Sequence, residues 1–246
     1  MAQRTSRMTG LATPRPALRT PAVSRPRPQP VASPPAVPTG EVAGRAQAAD
    51  FALAAALAVA TLPLLAVCVL LVRLTSRGPG VYTQKRVGKG GRVFTLYKIR
   101  TMYHDCEKHS GPTWCKPGDA RITPVGRVLR KLHLDELPQL WNVLRGDMSL
   151  IGPRPERPEI VAKLRTSIPG YDRRHAVKPG ITGFAQIHLP PDTCVRSVKN
   201  KVAYDLFYIR RGSIFMELFI LACTAMKMFG LKKLYHRPPR RPTEEV

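Results

Sequence analysis

The run FALAAALAVATLPLLAVCVLLV, residues 51–72, decides how the rest of the chain is arranged, because its 22 residues carry no charge. As one straight α-helix it would extend about 33 Å, enough to cross the hydrocarbon core of a bilayer. Pro63 stands near its middle, where it removes a helical hydrogen bond and kinks the axis. The run is thereby divided into limbs of about 18 and about 14 Å, and neither limb alone reaches across. Charge points the same way. Residues 1–49 contain seven arginines and one acid, Glu41, while Arg73, Arg77, Lys85 and Arg86 follow the run closely. The positive-inside rule then places both flanks in the cytoplasm. A re-entrant helix over residues 50–74, broken at Pro63, satisfies length and charge together. A Pro-kinked spanning helix satisfies length alone, and a core helix of a soluble protein fits such a run least.

Upstream of that segment, residues 1–49 hold nine prolines and no Phe, Tyr, Trp or Ile. Such a composition buries too little apolar area to offset its ordering entropy, which predicts a disordered basic arm suited to anionic lipid. No apolar run follows its basic start, which excludes a signal peptide there. Across all 246 residues, 40 Lys and Arg face 16 Asp and Glu, a net charge of +24. That excess predicts polyanionic partners without choosing among nucleic acid, anionic lipid and phosphorylated small molecules. The five cysteines form no CxxC pair, so neither a disulfide framework nor a zinc finger is indicated. His104, Cys106, His109 and Cys115 lie close in sequence, but reduced thiols are the simpler reading.

Downstream, residues 75–212 read as a cytosolic domain. Val81 to Val87 and Arg92 to Lys98 are β-rich and are joined by Gly88-Lys89-Gly90-Gly91, the pattern of a hairpin. Thr123-Pro124 opens a helix as cap and first-turn proline, with Val125, Val128, Leu129 and Leu132 at helical spacing. A second helix is expected to start at Asp135, to bury Leu137, Leu140, Trp141 and Leu144, and to stop at Gly146. From Ser213 to Phe229 the polar residues Ser213, Glu217, Thr224 and Lys227 fall within about 80° of one another on a helix that is otherwise apolar. That pattern predicts an interfacial amphipathic helix over 213–230, followed by a basic tail over 231–246. The fold class expected is therefore α+β: a small membrane-associated catalytic domain with a re-entrant membrane helix and amphipathic interfacial helices.

In so cationic a chain, acids in special positions are informative. Asp135 and Glu136 are adjacent carboxylates at the expected head of a helix, where free amides and the dipole favour an ionised aspartate. An ionised aspartate is a competent nucleophile, although a plain helix cap explains the same position. Arg130 precedes the pair, and Gly152-Pro153-Arg154-Pro155 follows the second helix as a stiff loop presenting a guanidinium. Arginine forks match phosphate oxygens bidentately. Carboxylates, fixed arginines and a divalent metal are the kit of phosphoryl transfer.

Five ordered blocks of sequence carry a resemblance. They are Phe94-Thr95-Leu96-Tyr97-Lys98-Ile99-Arg100-Thr101-Met102 with Gly88 before it, residues 119–123 (DARIT), residues 134–144 (LDELPQLWNVL), residues 146–155 (GDMSLIGPRP) and residues 178–186 (KPGITGFAQ). Together they resemble the bacterial sugar transferases, the monotopic phosphoglycosyl transferases that initiate polysaccharide and glycoconjugate synthesis, over roughly residues 50 to 230. The resemblance implies transfer of a sugar 1-phosphate from a nucleotide-diphosphate sugar, expected to be a UDP-sugar, to polyprenol (undecaprenyl) phosphate. It makes Asp135 the nucleophile that forms a covalent aspartyl phosphosugar and releases nucleoside monophosphate. Glu136 becomes its partner in metal binding or proton handling, with Mg²⁺ as cofactor held by Asp135 and Glu136. Arg130 and Arg154 are implied to bind phosphate, Lys98 and Arg100 less firmly, and Asp205 matches a family acid that could touch substrate. The work would be done at the cytoplasmic face of the plasma membrane, in contact with membrane lipid, with no nucleic acid involved.

The family also implies the helix break at Pro63. The serine usual before that proline is replaced by Leu62, leaving Thr61 as the nearby hydroxyl. His188-Leu189-Pro190-Pro191-Asp192 departs from the short Gly-Arg loop of many relatives, so sugar and nucleotide identity are left open. Larger members carry several spanning helices before this module, and none is expected here. Two other functions compete. A membrane-anchored basic binding protein without catalysis would cluster its cations among aromatics and need no acid pair, whereas this chain has 7% aromatic residues. A transferase moving only the sugar would leave a nucleoside diphosphate instead.

Overall fold

A computed structural model describes residues 42–106, 108, 118–192, 194–228 and 231 of the chain. Most of the expected arm, the last two residues of the helix expected over 213–230 and nearly all of the basic tail lie outside these residues, as do His109 and Cys115. The first helix, α1, runs from Val42 to Thr75 without interruption, so it begins eight residues before the expected end of the arm. Pro63 lies inside it, and one helix is assigned across the position where a break was expected. Thr61 Oγ1 donates to Leu57 O at 2.7 Å one turn earlier, the local bond that an hydroxyl makes when it sits in a helix. Residues 48–75 contain an 18-residue window of mean hydropathy 2.7 and are long and apolar enough to cross a membrane. Val59 is 75% exposed and Leu62 60% exposed, which is not how a soluble core helix is placed.

The hairpin forms as its glycines suggest. β1 (Val81–Val87) and β2 (Val93–Ile99) pair antiparallel, with Val87 opposite Val93 and Val81 opposite Ile99. Between them Gly90 and Gly91 take φ of +64° and +78°, which L side chains rarely adopt. Thr123 caps α2 (Pro124–Lys131) by accepting from Gly126 N at 2.9 Å. The second helix departs from expectation. Leu134–Glu136 form a 3-10 turn, and α3 covers only Gln139–Leu144 behind Pro138. Pro138 has no N–H to continue an earlier helix, so the helical pattern starts afresh after it. Leu140 is buried as the stripe requires, but Trp141 is 56% exposed.

The remaining elements close around one core. β3 (Ser149–Ile151) pairs parallel with β4 (Gly180–Thr182), and α4 (Pro158–Ser167) lies between them in sequence. α5 (Phe184–His188), α6 (Val195–Arg211) and α7 (Ile214–Met228) complete the elements among the described residues. Val198, Val202, Leu206 and Ile209 make the buried stripe of α6, against Met148, Ile151, Phe184 and Ile220. A smaller cluster of Cys68, Val72, Ile99 and Leu129 fastens the C-terminal half of α1 to β2 and α2.

The polar strip of α7 faces inward. Glu217 is buried and accepts from Tyr208 Oη at 2.8 Å, Thr224 Oγ1 lies 2.7 Å from Thr182 Oγ1, and Lys227 Nζ donates to Gln186 O at 3.1 Å. Ile214, Phe215, Leu218 and Phe219 are exposed on the other side, Phe215 by 80%. A helix that turns its polar side to the protein and its apolar side outward matches an apolar surrounding. The α+β domain is thus membrane-associated through α1, with α7 presenting a second apolar face.

Candidate active site

Asp135 and Glu136 occupy the 3-10 turn between α2 and α3, immediately after His133, which adopts a left-handed φ of +56°. A non-glycine residue there costs energy that the surroundings must offset, and such residues gather at functional sites. The two carboxylates have opposite surroundings. Glu136 Oε1 accepts from Lys98 Nζ at 2.9 Å and pairs closely with Arg154 Nη2, while Arg154 Nη1 lies 3.5 Å from Oε2. Burial alone would raise the Glu136 pKa, but Arg154 and Lys98 outweigh it and hold the carboxyl well below the usual range. Asp135 is only 7% exposed, yet among the described residues its side chain makes no hydrogen bond or ion pair. It lines a cavity of about 1250 Å³ together with Lys98, Arg130, His133, Glu136 and Arg154.

Burial pushes the Asp135 carboxyl above the ordinary aspartate range; Lys98 opposes this, Glu136 adds to it, and Arg130 and Arg154 oppose it again. The expectation that helix amides hold it strongly ionised is therefore corrected. The turn is 3-10, no cap bond is made, and desolvation dominates. The Asp135 carboxylate thus lines the cavity poorly solvated, with Lys98, Arg130 and Arg154 acting on it through space.

Other elements aim the cations. Lys98 is the next-to-last residue of β2, and burial lowers its pKa while Glu136 opposes the shift. Asn142 of α3 fixes that strand, donating from Nδ2 to Thr95 O at 2.8 Å and accepting from Tyr97 N at 3.2 Å. Arg130 of α2 lines the cavity and donates from Nε to Thr101 Oγ1 at 2.8 Å. The Gly152–Pro155 loop carries Arg154. A Cβ at Gly152 would come within 2.5 Å of Lys178 O, and one at Gly180 within 2.0 Å of Gly152 N, so both positions need glycine for the backbones to approach.

Two expected site residues are engaged by other partners. The Arg100 guanidinium donates to Ser76 O and Ser76 Oγ, both at 2.8 Å, and also to Arg77 O. It lines the same cavity as the dyad, and its guanidinium is held by the carbonyls just beyond α1, tying the membrane helix to β2. Asp205 is 2% exposed and pairs with Arg174 Nη2 at 2.6 Å, within the buried stripe of α6. A group so enclosed does not meet a substrate, and its influence reaches the site through Arg174. Arg174 Nη2 also donates to Arg154 O at 3.0 Å, and Nη1 to Tyr171 Oη at 2.8 Å. Burial pulls the Arg174 pKa down, but Asp205, Tyr171 and Glu156 outweigh it and keep the guanidinium charged.

The family model for bacterial sugar transferases matches residues 43–231. The chain belongs to the bacterial sugar transferase family. Among relatives, the UDP-N-acetylgalactosamine-undecaprenyl-phosphate N-acetylgalactosaminephosphotransferase of Aeromonas hydrophila is 44% identical over 159 residues, 65% of this chain and 37% of that protein. A UDP-glucose:undecaprenyl-phosphate glucose-1-phosphate transferase of Caulobacter vibrioides is 39% identical over 195 residues, covering 78% of this chain and 72% of the relative. A putative undecaprenyl-phosphate N-acetylgalactosaminyl 1-phosphate transferase of Bacillus subtilis is 53% identical over 113 residues, covering 46% and 63%. The chain thus spans little more than a third of the Aeromonas relative's length.

As a bacterial sugar transferase the chain can be tested for Mg²⁺. Among the described residues no group of three His, Cys, Asp or Glu could hold a metal, and His104 stands beside Asp105 at 3.3 Å, away from any such cluster. Mg²⁺ is commonly held by one or two carboxylates plus substrate phosphates. The Asp135 carboxylate and the less engaged Glu136 Oε2 fit that donor set, with the phosphates brought by substrate. Two contributors to this bacterial sugar transferase site escaped the sequence reading. Arg86 donates from Nη1 to Pro155 O at 2.9 Å and pairs with Glu156, holding one end of the Arg154 loop. Arg174 holds the adjacent carbonyl, that of Arg154. Nothing in its neighbourhood, Arg173-Arg174-His175, marks it from an exposed basic turn, but Asp205 falling on an apolar stripe is a signal that a buried cation must face it.

Proposed function

We propose that this chain transfers a sugar 1-phosphate from a UDP-sugar to undecaprenyl phosphate, as the first membrane step of exopolysaccharide or glycoconjugate synthesis. One observation carries the reading: a buried Asp135 carboxylate without a partner among the described residues, open to a cavity whose wall bears Lys98, Arg130 and Arg154. Relatives named for UDP-sugar and undecaprenyl phosphate supply the substrate classes.

An Asp135 Oδ attacks the phosphorus that bears the sugar. The bond from that phosphorus to the bridging oxygen breaks, its electron pair leaves with the nucleoside monophosphate, and the aspartyl phosphosugar remains. An oxygen of undecaprenyl phosphate then attacks the same phosphorus, and the aspartyl oxygen departs with its electron pair as the regenerated carboxylate. Arg130 and Arg154 neutralise charge on the phosphates, and Lys98 and Arg154 keep Glu136 ionised and still. Mg²⁺, held by Asp135 and Glu136, would supply shielding of the diphosphate charge. The domain works at the cytoplasmic face, with α1 re-entering the bilayer at Pro63 so that both its flanks stay with the cations. A basic binding protein would leave the uncommitted carboxylate without a role.

The test is incubation of the full chain in membranes with UDP-N-acetylgalactosamine, UDP-glucose and undecaprenyl phosphate. Release of UMP with formation of a lipid-linked product is expected. Release of UDP, or an unimpaired Asp135→Asn variant, overturns the reading.

A further inference from the structure

The cavity wall contains a charged pair that the proposed reaction does not use. Asp192, in the stretch after α5, and Lys201 of α6 both line the cavity, and Lys201 Nζ donates to Asp192 Oδ2 at 2.7 Å. Each side chain is 8% exposed. The desolvation of a buried ion pair often exceeds its attraction, so such a pair is a poor way merely to fasten a loop to a helix. Both members keep unused hydrogen-bonding capacity. Among the described residues Asp192 Oδ1 meets Ser197 Oγ alone, at 3.4 Å, and that hydroxyl lies closer to Cys194 O, at 2.7 Å. The Lys201 ammonium carries three protons, of which Asp192 takes one. The pair also stands near the phosphate end of the site. Lys201 lies one helical turn before Asp205 on α6, and Lys201 and Asp192 both act on the Asp205 carboxyl through space. Asp205 grips Arg174, which in turn holds the Arg154 carbonyl.

We infer that Asp192 and Lys201 recognise the sugar of the donor, Asp192 accepting from one ring hydroxyl and Lys201 donating to a neighbouring oxygen, and so set which sugar 1-phosphate is transferred. The inference rests on the reading above and adds which side chains read the sugar. Of the parts of donor and acceptor, the sugar is the one bonded directly to the attacked phosphorus, and the others suit this pair poorly. Lys201 is neutralised by Asp192, so it attracts a phosphate less than Lys98, Arg130 and Arg154 do. A prenyl chain would cover both charges without satisfying either. A nucleobase gains by stacking, and the tyrosines in the cavity lining are Tyr82 of β1 and Tyr103 after β2, both exposed, whereas the 189–192 stretch and Lys201 offer no ring. A neutral polyhydroxyl ring uses a carboxylate and an ammonium together. A sugar whose hydroxyl points to the other face of the ring leaves these buried groups unpaired, which is how a polar wall separates isomers.

The test is calorimetry on the full chain in nanodiscs carrying Asp135→Asn, so that donors bind without being consumed. The probes are UDP, UDP-glucose, UDP-galactose, UDP-N-acetylglucosamine and UDP-N-acetylgalactosamine. The affinities of the four UDP-sugars are expected to span about tenfold or more. Adding Asp192→Asn or, independently, Lys201→Met should compress that span to about twofold while affinity for UDP itself stays within about twofold. A purely structural pair would weaken UDP and every UDP-sugar together. The double variant Asp192→Asn/Lys201→Met leaves neither charge stranded and gives the same readout should a single variant fail to fold. A span that persists in the variants, four sugars bound alike by the parent, or UDP lost in step with the UDP-sugars overturns the inference. Tyr103→Leu is the contrasting variant. It should weaken UDP and all four donors alike, and a loss confined to particular sugars would place the sugar at the tyrosines instead. Release of UMP by the Asp135→Asn chain would remove the proposed nucleophile and leave the affinities to decide the sugar wall.

Discussion

Asp205→Asn isolates what the buried pair beneath Arg154 contributes. Asp205 and Arg174 have side chains exposed by 2% and 3%, so their ion pair is desolvated and the substitution leaves a buried guanidinium without its carboxylate partner. Removing one member of such a pair costs about 3–5 kcal/mol. For a domain of this size that corresponds to a fall in Tm of roughly 6–20 °C, at about 2–4 °C for each kcal/mol. The site should suffer separately, because Arg174 also donates to the Arg154 carbonyl and so sets where that guanidinium meets Glu136. A misplacement of about 1 Å can cost about 100-fold, so kcat for UMP release should drop by about 10- to 100-fold at temperatures where the variant remains folded. Thermal melts of the solubilised full chain and UMP release give the two readouts. The double variant Asp205→Leu/Arg174→Met distinguishes positioning from stability. A well-packed apolar pair often replaces a buried ion pair without loss, so Tm should recover, while turnover should not, since no donor remains for the Arg154 carbonyl. Recovery of turnover together with Tm would refute the positioning role, as would a Tm for Asp205→Asn within about 1 °C of wild type.

Asp135→Asn is expected to leave Tm unchanged or higher, because a carboxyl whose folded pKa is raised by burial destabilises the fold when ionised near neutral pH; a clear drop in the melt would contradict the account of its surroundings. Glu136→Gln should destabilise near neutral pH. The folded Glu136 pKa is depressed, so its contribution is present above the ordinary glutamate value of about 4.3 and fades as pH falls through the folded value. Denaturation of the two proteins across pH should therefore converge in acid. Lys98→Met removes the largest influence lowering the Asp135 pKa, so the acid limb of the kcat/KM profile for UMP release should move to higher pH, and a shift downward would argue against Asp135 as the group that must ionise. Cysteines placed at Ala49 and Thr75, both exposed at the ends of the apolar part of α1, should react with a membrane-impermeant maleimide from the cytoplasmic side alone. Reaction of Ala49→Cys from outside would make α1 a spanning helix.

Features set by local chemistry were legible in the chain. The glycines of the hairpin, the Thr123-Pro124 start of α2 and the stop at Gly146 depend on backbone rules that act within a few residues. The apolar run of α1 was equally plain. What failed was anything requiring knowledge of the opposite wall. The polar strip of α7 was correctly located by its period, but periodicity does not say which side faces the protein, and Tyr208, Thr182 and Gln186 draw it inward. Arg100 and Arg154 look alike in sequence as cations beside marked blocks. One is drawn to the carbonyls just beyond α1 and the other to Glu136, a difference fixed by partners distant along the chain.

The same limitation explains why the two adjacent acids could not be assigned from position. Sequence places them side by side, and a helix dipole would have treated them alike. Pro138 shortens α3 and leaves them on a 3-10 turn whose neighbouring side chains point in different directions, so the cations of β2 and the Gly152–Pro155 loop close on Glu136 and leave Asp135 facing the cavity. On the proposed mechanism the asymmetry divides labour between the two. A carboxylate gripped by two cations is stable and a poor nucleophile. Its neighbour, buried with no partner of its own among the described residues and influenced only through space, is the one that the proposal makes the nucleophile.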